Sequence, residues 1–180
     1  MAEESEAMLV RRVVNKDQPA FQQLLDKHLP GINRYVIRMM GNASNSDDII
    51  QEVFLRLWTR ADSFNPEVSR LSTWLHNIAH NLCIDYFRKN SKLTQIPIED
   101  TIGGEEPDLE LVATIQRQDV KAALMALPER QRSAIIMCHY QGLSNREAAE
   151  IMNISVDALE SLLSRGRLKL KSILTTEGAR

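Results

Sequence analysis

Apolar residues recur along this chain at intervals of three and four, the spacing that gathers side chains on one face of an α-helix. Met8 and Leu9 anchor a first such segment over 4–14. Pro19, a residue suited to the first helical position, opens a second that carries Phe21, Leu24, Leu25 and Leu29. Pro30-Gly31 predicts a bend, after which Ile32, Tyr35, Val36, Met39 and Met40 resume the stripe until Gly41 ends it in the left-handed conformation. Ser46 or Asp47 is placed to cap the next helix, whose inward face reads Ile49, Ile50, Val53, Phe54, Leu57 and Trp58. A loop over 62–70, with Asn65-Pro66 as its turn, leads to a long helix. Ser72 or Thr73 would cap it, and it runs through Trp74, Leu75, Ile78, Ala79, Leu82, Tyr86 and Phe87 to near residue 90.

Beyond residue 91 the periodicity stops. Pro97, Gly103-Gly104 and Pro107 break any helix, and the only charges between Thr94 and Thr114 are Glu99, Asp100, Glu105, Glu106, Asp108 and Glu110. Such a stretch reads as a solvated tether. Helical spacing returns over 109–126, Leu127-Pro128 marks a boundary, and 134–140 forms a further helix stopped by Gln141-Gly142. No alternating strand pattern interrupts this. The expected fold is all-α: two small helical domains, 1–92 and 113–180, joined by a flexible acidic linker over 93–112.

The segment 143–167 carries the sharpest local signal. Ser144 with Glu147 three residues on has capping-box spacing, and Ala148, Ile151 and Met152 follow as an apolar stripe. Asn153 suits a left-handed stop, Ser155 caps a second helix, and Leu159, Leu162 and Leu163 face inward. Arg165, Arg167, Lys169 and Lys171 crowd its far end. Two short helices so arranged place the second in a DNA major groove, although capped helical hairpins also occur without nucleic acid.

Composition narrows the alternatives. The 180 residues carry a formal charge of −2, so DNA binding has to come from local segregation of basic residues rather than from net charge. Two cysteines, Cys83 and Cys138, make no disulfide framework and fit a reducing compartment. The acidic N-terminus has no apolar signal region, and no apolar run approaches the roughly 20 residues that span a bilayer. The expectation is therefore a cytoplasmic protein without membrane insertion. No nucleophile–base set, paired catalytic carboxylates or phosphate-cradling glycine loop is evident, and Gly103-Gly104 lies among acids that would repel phosphate. Neither an enzyme nor a cofactor is expected. His76, His80 and Cys83 share one helix face and could ligate zinc, but they supply only three ligands. No metal site is assigned to them.

Together these segments resemble a bacterial RNA polymerase sigma factor of the extracytoplasmic-function (ECF) group. Asp47-Asp48-Ile49-Ile50-Gln51-Glu52-Val53-Phe54-Leu55-Arg56-Leu57-Trp58 is similar to that family's core-polymerase-binding helix. The run from Thr73-Trp74-Leu75 through Ile78-Ala79, Asn81 and Asp85 to Arg88-Lys89 resembles its promoter-melting helix, TWL..IA.N...D..R. Leu127-Pro128-Glu129-Arg130-Gln131-Arg132 resembles the start of its C-terminal domain, LP..R. The three occur in the family's order and the helix-turn-helix follows.

The resemblance implies a sigma region 2-like and a sigma region 4-like domain, and an alternative sigma factor directing promoter-specific initiation in a stress or envelope response. Its partners would be core polymerase (the beta and beta-prime subunits), promoter DNA and an anti-sigma factor. It places core binding on Asp47, Asp48, Gln51, Glu52 and Leu55. Minus-10 contacts fall on Phe64, Asn65, Arg70, Ser72, Asn77, Asn81, Arg88 and Lys89, with the loop before the melting helix holding an extruded base. Minus-35 contacts fall on Arg146, Ser155, Glu160, Ser161, Ser164, Arg165 and Arg167. The recognition helix departs from the family's V.TV.SR by carrying Asp157 and Glu160, which leaves its DNA element open. The alternatives are a free-standing dimeric helix-turn-helix regulator and an adaptor that binds only protein.

Overall fold

The computed structural model describes residues 4–42, 44–91 and 117–177. The linker over 93–112 and the segment 109–116 lie outside the described residues. Every regular element among those described is helical: α1 (Glu6–Val14), α2 (Gln18–Met40), α3 (Ser46–Arg60) with a 3-10 turn (Ala61–Ser63), α4 (Leu71–Ser91), α5 (Arg117–Met125), α6 (Glu129–Ile135) with a π turn (Ile136–Tyr140), α7 (Asn145–Met152) and α8 (Val156–Glu177).

Caps set the starts of the first two helices. Ser5 Oγ accepts from the Met8 N–H at 3.3 Å, and Asp17 Oδ1 accepts from the Ala20 N–H at 3.1 Å. The bend expected at Pro30 does not occur, and α2 runs through it unbroken. Proline removes one donor, but Pro30 and Asp26, whose carbonyl loses that donor, both lie on the exposed side where water serves. Leu24, Ile32, Tyr35, Val36 and Met39 meanwhile hold both halves of α2 in the core. Gly41 closes the helix at φ 77°, as its sequence position indicates.

Two expected caps are displaced. Ser46 is the first residue of α3 rather than its cap; it is fully buried, and its hydroxyl donates to the Asn42 carbonyl. In α4 the Trp74 N–H bonds the Arg70 carbonyl at 3.1 Å, so Ser72 and Thr73 sit inside the first turn. The Thr73 hydroxyl is thereby left for another partner. In the C-terminal half α6 begins at Glu129, five residues before the expected 134, directly behind Pro128.

Helices α1–α4 pack around Leu24, Tyr35, Val36, Met39, Val53, Leu57, Leu75 and Ala79. The C-terminal helices pack around Ala134, Ile136, Met137, Ala148, Ile151, Leu159 and Leu163. Gly166 lets α8 lie close on α6, since a Cβ there would stand 2.7 Å from Ile135 Cδ1. The two bundles also touch. Ser133 Oγ is 3.6 Å from the Met39 sulfur, the Arg132 guanidinium lies 5.0 Å from the Phe87 ring centroid, and that of Arg38 lies 4.4 Å from Tyr140. A Cβ on Gly41 would meet Met125 Sδ at 2.6 Å, so the end of α2 and α5 are also in close contact.

One buried polar pair titrates. Tyr35 Oη and His80 Nδ1 are 3.0 Å apart, and burial, with the Arg130 charge adding to it, pushes the His80 pKa down to about 4. A histidine whose folded pKa lies below its unfolded value near 6.5 takes up its proton mainly on unfolding. Stability should therefore fall as pH drops from about 6.5 to about 4, by up to ~3 kcal/mol from His80 alone. His28 and His76, also lowered by burial, add in the same direction. Thermal melts across this window should show a declining Tm in the native chain and a flatter profile in His80→Gln. Parallel profiles would contradict the assignment.

Candidate polymerase and nucleic-acid surfaces

One face of α3 is all solvent. Asp47, Asp48, Gln51 and Leu55 are exposed, Glu52 is half-buried, and Ile49, Val53, Phe54 and Leu57 occupy the opposite, buried side. Asp47 and Asp48 lie in the first turn, where the helix dipole favours negative charge. Glu52 takes a hydrogen bond from Arg56 Nε at 2.9 Å. Leu55 is 53% exposed, an apolar side chain standing beside this acidic set. Trp58 is not part of it: its ring meets Phe21 edge-on at 5.3 Å and carries Lys16 over its face.

The second surface comprises the loop before α4 and that helix. Phe64 packs against Trp74 at 5.8 Å, which makes Trp74 a packing residue as its apolar neighbours indicate. Asn65 Oδ1 accepts from the Glu67 N–H at 2.9 Å, forming an Asx turn that shapes the loop. Asn81 donates to Asn77 at 3.1 Å, so these two amides act as a pair. Ser72 is half-buried, while Arg88 and Lys89 are exposed, with Arg88 3.6 Å from Asp85. Sixteen residues at ~1.5 Å each put Arg88 about 24 Å along the helix from Ser72, so the assigned residues form a track rather than a single site.

His76, His80 and Cys83 turn inward. His76 Nδ1 donates to the Ser72 carbonyl at 2.7 Å, its Nε2 lies 3.4 Å from the Gln141 carboxamide, and Cys83 is fully buried. Burial pushes the Cys83 thiol up to about 12, away from the thiolate a metal would need. Among the described residues no group of three or more His, Cys, Asp or Glu side chains is placed to hold a metal ion.

The third surface is the helix-turn-helix. Both halves of the capping box form: the Glu147 N–H donates to Ser144 Oγ at 3.2 Å, and the Ser144 N–H donates to Glu147 Oε2 at 2.9 Å. Asn153 adopts the left-handed conformation at φ 55°, and Ser155 Oγ accepts from the Ala158 N–H at 3.1 Å to start α8. Along α8, Glu160 and Ser161 are exposed, Ser164, Arg165 and Arg167 half-exposed, and Leu159 and Leu163 buried. Leu162 is only half-buried. Arg146 is exposed and 3.5 Å from Glu150. Arg165 Nε donates to the Ser161 carbonyl at 3.4 Å.

Several contacting residues were invisible to sequence patterning. His139 Nε2 accepts from Arg167 at 3.0 and 3.2 Å, bracing that guanidinium from another helix. Burial first, and then Arg167, hold His139 in its neutral, accepting form. Glu147 Oε1, the oxygen not used by the cap, accepts from Arg70 Nε at 3.0 Å and from Thr73 Oγ1 at 3.2 Å. Burial alone would raise the Glu147 pKa, but the bonds from Ser144 and Arg70 bring it down to about 2. The capping box had already accounted for Glu147, so its spacing concealed a second role.

Residues 24–93 match Sigma-70 region 2, and residues 117–170 match Sigma-70, region 4. The ECF RNA polymerase sigma factor EcfG of Rhodopseudomonas palustris is 34% identical, across 84% of this chain and 83% of its own length. ECF sigma factor SigW of Bacillus subtilis is 30% identical, across 92% of this chain and 94% of its own. The sigma factor RpoE of Bartonella quintana, solved in complex with the anti-sigma factor NepR, gives a TM-score of 0.69 at 28% identity, covering 86% of this chain and 96% of that one. CnrH, solved in complex with the cytosolic domain of CnrY, gives 0.70 at 26% identity, covering 96% and 99%.

The two helical units are thus the region 2 and region 4 of a sigma-70-type initiation factor. The chain belongs to the ECF group of RNA polymerase sigma factors: it is an alternative sigma factor that binds core polymerase and directs promoter-specific transcription initiation. Among the described residues no helix is long and apolar enough to cross a membrane.

The start of α7 depends on its cap. Ser144→Ala leaves the Glu147 N–H without its acceptor and should cost about 1 kcal/mol in chemical denaturation, whereas Ser144→Thr, which keeps the hydroxyl, should retain most of the stability. Equal losses in the two variants would show that the cap contributes nothing.

Proposed function

We propose that this sigma factor reads its promoter at two points while riding on polymerase, with a separate surface for each task. Domain 1–92 docks on the beta and beta-prime subunits through Asp47, Asp48, Gln51, Glu52 and Leu55. The same domain opens the minus-10 element through the loop and α4: Phe64, Asn65, Arg70, Ser72, Asn77 and Asn81, with Arg88 and Lys89 neutralising backbone. Domain 113–180 reads the minus-35 element through Arg146, Ser155, Glu160, Ser161, Ser164, Arg165 and Arg167, and the segment 93–112 tethers the two. The carrying observation is the solvent face of α3, where the exposed Leu55 stands beside four polar or acidic side chains while Ile49, Ile50, Val53, Phe54 and Leu57 are buried on the other face. Acids around an apolar centre suit a partly basic helical partner, with the charges setting register and on-rate.

The chain acts by binding and positioning, in the cytoplasm, and the phosphoryl chemistry belongs to the polymerase. The solved relatives RpoE and CnrH are each held by a protein partner. By extension a protein antagonist restrains this chain until a stress or envelope signal arrives. Pull-down of core polymerase followed by run-off transcription on genomic fragments tests the whole reading. A sigma factor binds an asymmetric promoter only with core, whereas a dimeric regulator binds a palindrome alone.

Two sets of variants test the surfaces separately. Asp48→Arg with Glu52→Arg should lower core affinity ten-fold or more, about 1.4 kcal/mol per decade, while the thermal midpoint changes little. Unchanged core affinity in a direct binding assay would remove α3 from the interface.

On the recognition helix, Glu160 can accept from cytosine N4, and Glu160→Ala should relax base preference at one minus-35 position by about 1–3 kcal/mol. Arg167→Ala should instead weaken binding across sequences and flatten its salt dependence. A randomised minus-35 library scored by transcription separates these outcomes. A uniform rise in output from Glu160→Ala would mean that this side chain reads no base.

A further inference from the structure

His139 on the π turn and Arg167 on α8 stand 28 positions apart in the chain and meet at a single ring nitrogen. Nε2 of His139 lies 3.2 Å from Arg167 Nε and 3.0 Å from Nη2. Gly166 brings the two elements together. It is buried beside Arg167, and α8 can lie against α6 because a Cβ at this position, which would stand 2.7 Å from Ile135 Cδ1, is missing. The π turn (Ile136–Tyr140) continues directly from α6, so His139 is carried up to α8 with it. We propose that His139 is a positioning residue for promoter reading: a neutral acceptor that aims the Arg167 guanidinium at a minus-35 phosphate without cancelling its charge. The proposal rests on the minus-35 assignment of Arg167.

The first support is the edge that is held. His139 takes the Nε–Nη2 edge of the guanidinium. The planar geometry of that group leaves Nη1 and the outer N–H of Nη2 as an end-on fork, which matches two oxygens of a phosphate.

The second is the kind of partner. Arg70, Arg88 and Arg146, also assigned to DNA, are paired with the carboxylates of Glu147, Asp85 and Glu150. A carboxylate offsets the charge that a phosphate would meet, whereas a neutral imidazole holds the cation and leaves its charge intact. Accepting at Nε2 places the ring proton on Nδ1. Burial, and then the Arg167 charge, lower the His139 pKa and keep the ring neutral around physiological pH.

The third is order. An arginine side chain has much rotamer freedom to lose, and one already fixed before contact binds about two- to ten-fold tighter for that reason alone.

The test uses the full chain assembled with core polymerase, on a promoter fragment that the native holoenzyme selects from a randomised minus-35 library. Binding is measured between roughly 50 and 200 mM potassium chloride. His139 is exposed, so substitutions there leave the core untouched, and circular dichroism with core affinity confirms it. Arg167→Ala should weaken binding and lower the slope of log affinity against log salt by about 1. His139→Leu, which has no acceptor, should weaken binding about two- to ten-fold, and His139→Gln, a neutral acceptor of similar reach, should recover most of that loss. In an Arg167→Ala background His139→Leu should cost nothing further, because its effect runs through the arginine. His139→Glu keeps an acceptor but adds a charge, and should lower the salt slope as Arg167→Ala does. A structural brace alone would accept Glu as readily as Gln, so a full salt slope in His139→Glu would overturn the proposal. An equal loss from His139→Leu with and without Arg167 would overturn it too. Native affinity and slope in Arg167→Ala would show instead that the minus-35 assignment of Arg167 has failed, and the positioning role with it.

Discussion

The relation between the two domains depends on how one carboxylate is shared. Glu147 gives one oxygen to the start of its own helix and the other to Arg70 and Thr73 across the interface. The first bond is local and survives any domain movement. The second exists only while the bundles are together. A group that bridges a helix end and a neighbouring domain in this way ties the start of α7 to the loop before α4.

Behind that exposed contact lies a buried, partly polar interface. Tyr35, His76, His80 and Cys83 face the C-terminal bundle, which contributes Arg132, Ser133 and Gln141. Arg132 is 3% exposed, lies over Phe87 and donates to the Met125 carbonyl at 3.1 Å, while its Nε has no partner. Burying a guanidinium with an unsatisfied donor is costly, so these contacts bring specificity of fit with little surplus of stability.

The side of α8 proposed to read DNA also has its arginines on fixed partners. Arg165 and Arg167 are each bonded within the protein, the latter to His139 across the turn. Arginines held in this way have less rotamer entropy left to lose on meeting a ligand. The acids Asp157 and Glu160 stand exposed beside them, so the surface presents a mixed pattern of charge rather than a uniform basic field.

Much of this fold was legible in the sequence. The helical stripes, the left-handed stops at Gly41 and Asn153, the capping box at Ser144 and Glu147 and the order of the motifs all follow from interactions between residues a few positions apart. The sequence alone thus determined an all-helical protein of the sigma family with a helix-turn-helix near its C-terminus. What it misplaced were features settled by distant neighbours. Pro30 reads as a bend but is carried through α2 by the core on its other face, and Ser46 reads as a cap but is buried as the first residue of α3. His76, His80 and Cys83, to which the sequence assigns no metal, gain from the packing the Ser72 carbonyl, the Tyr35 hydroxyl and a buried place in the interior. The bonds from Arg70 to Glu147 and from Arg167 to His139 span 77 and 28 positions in the chain. No periodicity encodes such pairs, because a local pattern reports which face a residue occupies, and only tertiary structure decides what stands opposite it.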